Sequence, residues 1–219
     1  MASVEVAGQQ LDLLPQRAAF LPAYRTLLVA DAHIGKAVSF RRLGVPVPEA
    51  TTAGTLARLS AAVAASGAER VVFLGDLLHS ARAHAEATLA AMRQWRRDHA
   101  QLDLVLVRGN HDDQAGDPPA DWRVQAGDEP LYLPGLQHLA LMHHPRPVPG
   151  AYVLAGHLHP GMVLAGRAHD RLRLPCFHFG PELGVLPAFG EFTGLHPLSR
   201  VAGDRVFVVQ GDAVHALPG

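Results

Sequence analysis

Asn110 and His111, between Gly109 and Asp112, put a carboxamide oxygen beside an imidazole. The first is a hard, neutral metal ligand and the second can deliver a proton. Together they suit a site where a cation holds a phosphate and a general acid protonates the leaving group. Gly-Asn is also ordinary turn chemistry, so the pair gains meaning only if other donor residues gather with it. Asp31 with His33, Asp76, His143, and His157 with His159 are such donors. A single residue separates the members of each flanking pair, which lets alternate side chains converge on one point from a strand end. Oxygen and nitrogen donors without thiolate suit Mn²⁺, Fe or Zn²⁺ in a five- or six-coordinate site. Seven such ligands, Asp31, His33, Asp76, Asn110, His143, His157 and His159, exceed the need of one ion and fit two that share a carboxylate.

The elements around these residues explain why they would meet. Thr26 to Ala30, Arg70 to Leu74 and Leu104 to Val107 are continuous apolar runs, the pattern of strands buried on both faces, and Asp31, Asp76 and Asn110 follow their ends. Helices are expected between them, over Thr55 to Ala65 after a start near Pro48, and over Ala83 to Ala100 with Leu89, Met92 and Trp95 on one face. Phe40 to Pro48 reads as a loop. Strands alternating with helices imply a parallel sheet whose ligands gather at the strands' carboxyl ends. Ahead of this unit, Val4 to Val6 and Leu11 to Leu13 predict a hairpin, with a further β segment at Ala18 to Phe20.

After Asp112 the pattern changes. Asp113 to Trp122 reads as a polar connection, followed by short strands at Leu131 to Leu133, Leu136 to Met142, Tyr152 to Ala155, Gly161 to Ala165, Arg171 to Phe179 and Gly184 to Phe189. A hairpin of Arg205 to Val209 with Ala213 to Leu217 closes the chain. A second, mixed or antiparallel sheet packed on the first is expected.

The 219 residues suffice for one sizeable core, so a single domain over 1–219 is expected. A net charge of −1 provides no global field for nucleic acid or an anionic membrane, and any such partner must be held locally. Cys176 is the only cysteine, which excludes an intrachain disulfide. The first residues lack the order of a signal peptide and no apolar run spans a bilayer, so a cytoplasmic protein is expected.

In order along the chain, Asp31-Ala32-His33, Gly75-Asp76, Gly109-Asn110-His111-Asp112, His143 and Gly156-His157-Leu158-His159 resemble the five motifs of the calcineurin-like metallophosphoesterases. The resemblance implies a four-layer αββα sandwich of two mixed sheets flanked by helices. It also implies a first ion on Asp31, His33, Asp76 and His159 and a second on Asp76, Asn110, His143 and His157, with His111 near the scissile phosphate. Arg25 to Lys36, Phe40 to Pro48, Gly150 to Gly161 and Leu172 to Gly194 further resemble the ligase-associated phosphoesterases called PdeM, of bacterial DNA repair gene clusters. That pattern usually has Leu where this chain has Ala32, a departure that bears on packing rather than chemistry.

The reaction these residues imply is hydrolysis of a phosphodiester with two divalent ions, Mn²⁺ first among them, a water between the ions as nucleophile and His111 as general acid. DNA as substrate, endonuclease or end-processing chemistry in repair, and association with a DNA ligase and an exonuclease are implied by the resemblance alone. A phosphomonoesterase, a small-molecule or cyclic-nucleotide phosphodiesterase, and a non-catalytic scaffold are the alternatives. His79 either caps a turn or assists cleavage, as the trailing histidine does in the SbcCD-type nucleases that Gly75 to His79 resembles. His143 is preferred to His144 as ligand because it comes first after its strand. Arg108, Arg41, Arg42 and Arg82 are candidate phosphate contacts, with an exposed, uncommitted role as the alternative.

Overall fold

The computed structural model describes residues 2–42, 44–45, 51–165 and 171–218, without the side chains of Arg42, Arg82 and Ala165. Among these residues seven strands form a first sheet in chain order: β1 (Ala2–Val6), β2 (Gln9–Leu14), β3 (Ala18–Leu21), β4 (Thr26–Ala30), β5 (Arg70–Leu74), β6 (Asp103–Val107) and β7 (Val124–Gly127). The pairs from β1 to β4 are antiparallel and those from β4 to β7 parallel. The expected hairpin, the third β segment and the three buried runs are all present.

Helices α1 (Lys36–Arg42), α2 (Thr51–Ser66), α3 (Glu86–Asp98) and α4 (Asn110–Ala115) accompany this sheet. Period-two alternation sorts its two faces. Leu27, Val29, Val71, Phe73, Leu104 and Leu106 join one core with Leu56 and Leu59 of α2 and Met92 and Trp95 of α3. Leu28, Ala30, Val72, Leu74 and Val107 face the other way, into a core shared with the second sheet. Each fully buried Leu, Val or Phe contributes about 1.5–3 kcal/mol. Trp95 Nε1 donates to Ser60 Oγ at 3.0 Å, which couples the two long helices.

The second sheet contains β8 (Leu139–Leu141), β9 (Tyr152–Ala155), β10 (Pro160–Ala165), β11 (Arg171–Phe179), β12 (Leu183–Val185) and β13 (His196–Pro197), ordered β13-β10-β11-β12-β9-β8. The hairpin of β14 (Arg205–Gln210) and β15 (Ala213–Ala216) attaches through β11. Parallel β8–β9 and β9–β12 pairs beside antiparallel ones make this sheet mixed too. Leu139, Leu141, Leu154, Phe177 and Phe179 supply its side of the inter-sheet core. On its outer face Leu174, Cys176, Val206 and Val208 lie under Leu198 and Leu217, and burial pushes the Cys176 thiol up to about 12.

Several local expectations differ from the structure. Phe40, Arg41 and Arg42 close α1 rather than forming a loop, and Pro48 lies outside the described residues. The long helix is divided by Ala85, whose extended backbone separates a 3₁₀ turn at Ala81–His84 from α3. The segment after Asn110 starts as α4, because Gly109 serves as its N-cap and Asp112 returns its side chain to the Gly109 N–H. Leu131 to Leu133 contributes one bridge, Leu131 to Leu141, instead of a strand. The edge strand beside β6 is β7, whose half-exposed Val-Gln-Ala-Gly lacks the apolar run of that neighbour. After β12 the chain leaves the sheet at Leu186 and Pro187, so Gly184 to Phe189 is not one strand.

Candidate metal centre

Asp31, Asp76 and Asn110 follow the carboxyl ends of adjacent parallel strands β4, β5 and β6, while His143 follows β8 and His157 follows β9. Stacking the sheets brings these ends together. Asp31, His33 and His159 each place a ligand atom within 4.8 Å of the others, and so do Asp31, Asp76 and His143. His159 Nε2 lies 3.4 Å from Asp31 Oδ1 and 3.4 Å from His33 Nε2, which is 3.9 Å from Asp76 Oδ2. On the other side of Asp76, its Oδ1 is 3.5 Å from His143 Nε2. That nitrogen lies 3.0 Å from both Asn110 Oδ1 and His157 Nδ1. All seven expected ligands therefore converge, with Asp76 between two subgroups.

The donor chemistry fits cations there. His143 Nδ1 faces the Leu74 carbonyl at 3.0 Å and donates to it, which leaves the neutral ring's Nε2 as a lone pair facing the Asn110 oxygen. Acceptor against acceptor in a buried place is unfavourable unless a cation lies between them. Asp31 Oδ1 is buried and has no hydrogen-bond partner among the described residues, although Oδ2 accepts the His157 N–H at 2.9 Å. Burial lowers the pKa of His33, His143 and His157, favouring the neutral imidazoles that ligate metal. Burial also pushes the Asp76 carboxyl up, against the His111 N–H bond to it.

The backbone is strained at this point. Ten described residues other than glycine have positive φ, and Asp31, His33, Asp76, His157 and His159 are five of them. Each costs about 1–3 kcal/mol and persists where its surroundings enforce it. Gly75 and Gly156 allow the close approach. A Cβ at Gly75 would overlap the His143 ring, and one at Gly156 would lie 2.6 Å from Asp31 Oδ2.

His111 stands beside the cluster. Its Nδ1 donates to the His79 carbonyl at 2.7 Å, and its Nε2 lies 3.9 Å from Asp76 Oδ2. The His79 ring stacks on His111 at 4.9 Å and on Phe40 at 6.0 Å, and burial followed by Lys36 brings its pKa down to about 4. His143 is fully buried, whereas the His144 side chain is 42% exposed and its Nδ1 is 3.1 Å from Glu129 Oε1. Arg108 pairs with Asp117 at 2.8 Å and Asp128 at 3.0 Å instead of facing the cluster. Arg41 lies on α1, and the side chains of Arg42 and Arg82 are outside the described set.

Sequence reasoning missed three contributors. Lys36 opens α1, and burial lowers its pKa against the charges of Asp31 and Asp76. Its place five residues after Asp31 was the available signal. Asp112 accepts from Leu78 N at 3.2 Å and Gly109 N at 3.0 Å, and burial pushes it up to about 6. It stands within a quoted motif. Glu129 Oε2 accepts the backbone N–H groups of His143 at 2.9 Å and His144 at 3.0 Å, and no spacing pattern announces it.

Residues 24–215 match the calcineurin-like phosphoesterase family. The crystal structure of the Pseudomonas putida nuclease MPE is similar to this chain, with 44% identity, 99% of each chain covered and a TM-score of 0.87. Yfce, a phosphoesterase from E. coli, is similar at 15% identity, over 86% of this chain and 90% of its own, with a TM-score of 0.42. Among curated proteins, none matches.

Proposed function

The chain belongs to the calcineurin-like phosphoesterase family, and from that premise we propose a two-metal phosphodiesterase that cuts DNA, as an endonuclease or end-processing enzyme of repair. The hydrolase chemistry is that of the family. The nucleic-acid substrate is supported by the likeness to a nuclease over nearly the whole chain. A DNA ligase and an exonuclease are the companions this reading expects, and Mn²⁺ suits a donor set of carboxylates, carboxamide and imidazoles. The observation that carries the reading is Asp31 Oδ1, a buried carboxylate oxygen without a hydrogen-bond partner among the described residues and 3.4 Å from His159 Nε2.

Asp31, His33, Asp76 and His159 would hold one ion, and Asp76, Asn110, His143 and His157 the other. Two divalent cations supply Lewis acidity to the phosphate and to the attacking water. The remaining work falls to side chains. Because the His79 carbonyl takes Nδ1–H, His111 presents Nε2 toward the cluster from a ring that is 33% exposed, open enough to meet substrate. As an imidazolium, His111 carries a second proton at Nε2, and this one passes to the departing alkoxide while Nδ1–H stays on the His79 carbonyl. His79 acts as a positioning residue: its carbonyl fixes the orientation of His111 and its ring stacks against it. Lys36 draws the phosphate's negative charge toward the two carboxylates.

Hydrolysis of bis-p-nitrophenyl phosphate, compared with the monoester under Mn²⁺ and under chelation, tests the chemistry. The diester is the faster substrate and the chelator abolishes turnover. Single-stranded, duplex and abasic-site DNA then test the substrate, and resistance of all of them defeats the nucleic-acid reading while leaving the diesterase standing.

A further inference from the structure

Beside the metal centre lies a recess of about 310 Å³ whose lining includes Arg17, Arg58, Glu191, Phe192 and Thr193. Its position follows from strand register. β3 runs antiparallel to β4, with Ala19 opposite Leu28 and Leu21 opposite Thr26. The β2–β3 turn that carries Arg17 is thus at the same end of the sheet as Asp31. The loop that carries Phe192 is tied to two expected ligands, since Gly190 N donates to the Asp31 carbonyl at 3.0 Å and His196 N to the His159 carbonyl at 2.8 Å. The recess therefore lies at the end of the sheet that carries Asp31, on a loop bonded to two of the expected ligands.

Two features of the lining ask for an occupant. Phe192 is 56% exposed and has φ 55°, so a bulky apolar side chain is held in solvent on a left-handed backbone. The loop is braced in that state. Thr193 Oγ1 donates to the Gly190 carbonyl at 3.1 Å, and Glu191 pairs with Arg58 at 3.2 Å. Arg58 is further committed to the Phe189 carbonyl at 2.6 Å. Arg17, by contrast, makes no side-chain hydrogen bond or ion pair among the described residues, and it is lodged where burial and then Arg58 disfavour its charge and the Glu191 carboxylate only partly offsets them. An exposed aromatic face beside an uncommitted guanidinium matches the two parts of a nucleotide, a base that stacks and a phosphate that takes charged hydrogen bonds.

We propose that this recess binds the nucleotide next to the scissile phosphate, its base stacked on Phe192 and its phosphate on Arg17. The site rests on the nucleic-acid reading above and adds to it that the flanking nucleotide is unstacked from its neighbours.

The test compares two single strands of equal length, one carrying bases and one built of tetrahydrofuran abasic residues, with the Mn²⁺-loaded full chain. Phe192→Ala lowers kcat/KM on the base-bearing strand about tenfold more than on the abasic strand, the scale of one lost base–aromatic stack, and Phe192→Trp restores the ratio. Taking the ratio within each variant cancels any loss of folded enzyme. Arg17→Gln lowers both strands alike and flattens the log–log salt dependence by about 0.7, the slope of one phosphate contact on a single strand. Equal effects of Phe192→Ala on both strands, or an unaltered salt slope in Arg17→Gln, overturn the subsite. A wild type that hydrolyses bis-p-nitrophenyl phosphate but cuts neither strand overturns the subsite, and one that leaves duplex DNA intact as well overturns the nucleic-acid reading itself.

Discussion

The two sheets bring ligands to one point by different means. In the first, the β4–β5 ladder continues past the strand ends: Asp31 N donates to Gly75 O at 3.3 Å, His33 N to Asp76 O at 2.9 Å and Ile34 N to Leu77 O at 2.8 Å. Asp31, His33 and Asp76 thus sit on main chain that secures itself. In the second, the amides of the ligand residues are held by carboxylates from elsewhere, His143 N by Glu129 and His157 N by Asp31. Two backbone bonds, Met142 N to Leu154 O at 3.0 Å and Gly156 N to His143 O at 3.2 Å, run between these two segments, neither of them on a ligand residue's own amide. The amides of Asp31 and His33 are therefore held by main chain and those of His143 and His157 by carboxylate side chains, and the second arrangement is the easier to disable.

The largest effect is expected where both means meet, at Asp31. Asp31→Ala removes the buried Oδ1 and also releases the His157 amide. Bound Mn²⁺ and turnover should both fall beyond the 10–100-fold typical of a lost outer-shell contact. Elemental analysis of the dialysed protein reads this directly. Two equivalents retained would mean that the sheets do not share a centre.

His111→Ala separates chemistry from assembly. The imidazole reaches the cluster but its ring is secured by the His79 carbonyl, outside the ligand set. A loss of about 10²–10⁴ in kcat with metal content retained is the result for a general acid. Metal lost in parallel with kcat would move His111 among the ligands.

The same contrast explains what the sequence revealed. Buried parallel strands announce themselves as runs such as Thr26 to Ala30 and Arg70 to Leu74, so the ends that carry Asp31 and Asp76 were readable from hydropathy alone. Ordered motifs picked out seven candidate ligands, and these side chains meet in space. β7 was missed because an edge strand with Gln125 and Gly127 has no apolar signature. Glu129 was missed because its role depends on a tertiary meeting with His143, 14 residues further along, at no fixed spacing. Arg108 was a candidate phosphate contact, but strand order puts Asp117 and Asp128 within its reach, and no local pattern encodes such pairing.

Glu129 and Asp112 sharpen the contrast further. Each carboxylate accepts two backbone N–H groups, Glu129 from His143 and His144, Asp112 from Leu78 and Gly109. Leu78 also has backbone support, through its bridge to Ile34, so the first sheet has a second means of holding its loop. Glu129→Ala should weaken Mn²⁺ binding about 10–100-fold, and Asp112→Ala by less. Calorimetric titration of the two variants with Mn²⁺ decides it, and the reverse order would show that the second sheet's loops hold themselves.

The smallest effect concerns Ala32, where the related pattern usually has Leu. Its side chain is 3% exposed within the helix-facing core, and Gly190 packs so closely on its carbonyl that a Cβ there would overlap it. The motif loop and the Phe189–Gly190 segment have thus closed around a small residue. Leu adds three carbons to a filled space, and overpacking of this kind costs about 1–3 kcal/mol. For a chain of this size each kcal/mol lowers Tm by about 2–4 °C. Ala32→Leu should therefore melt about 5 °C lower while keeping its metal, because the ladder bonds of Asp31 and His33 involve backbone atoms alone. A rise in Tm would reveal room beside the first-sheet ligands. The first-sheet half would then be packed more loosely than the carboxylate-held half opposite.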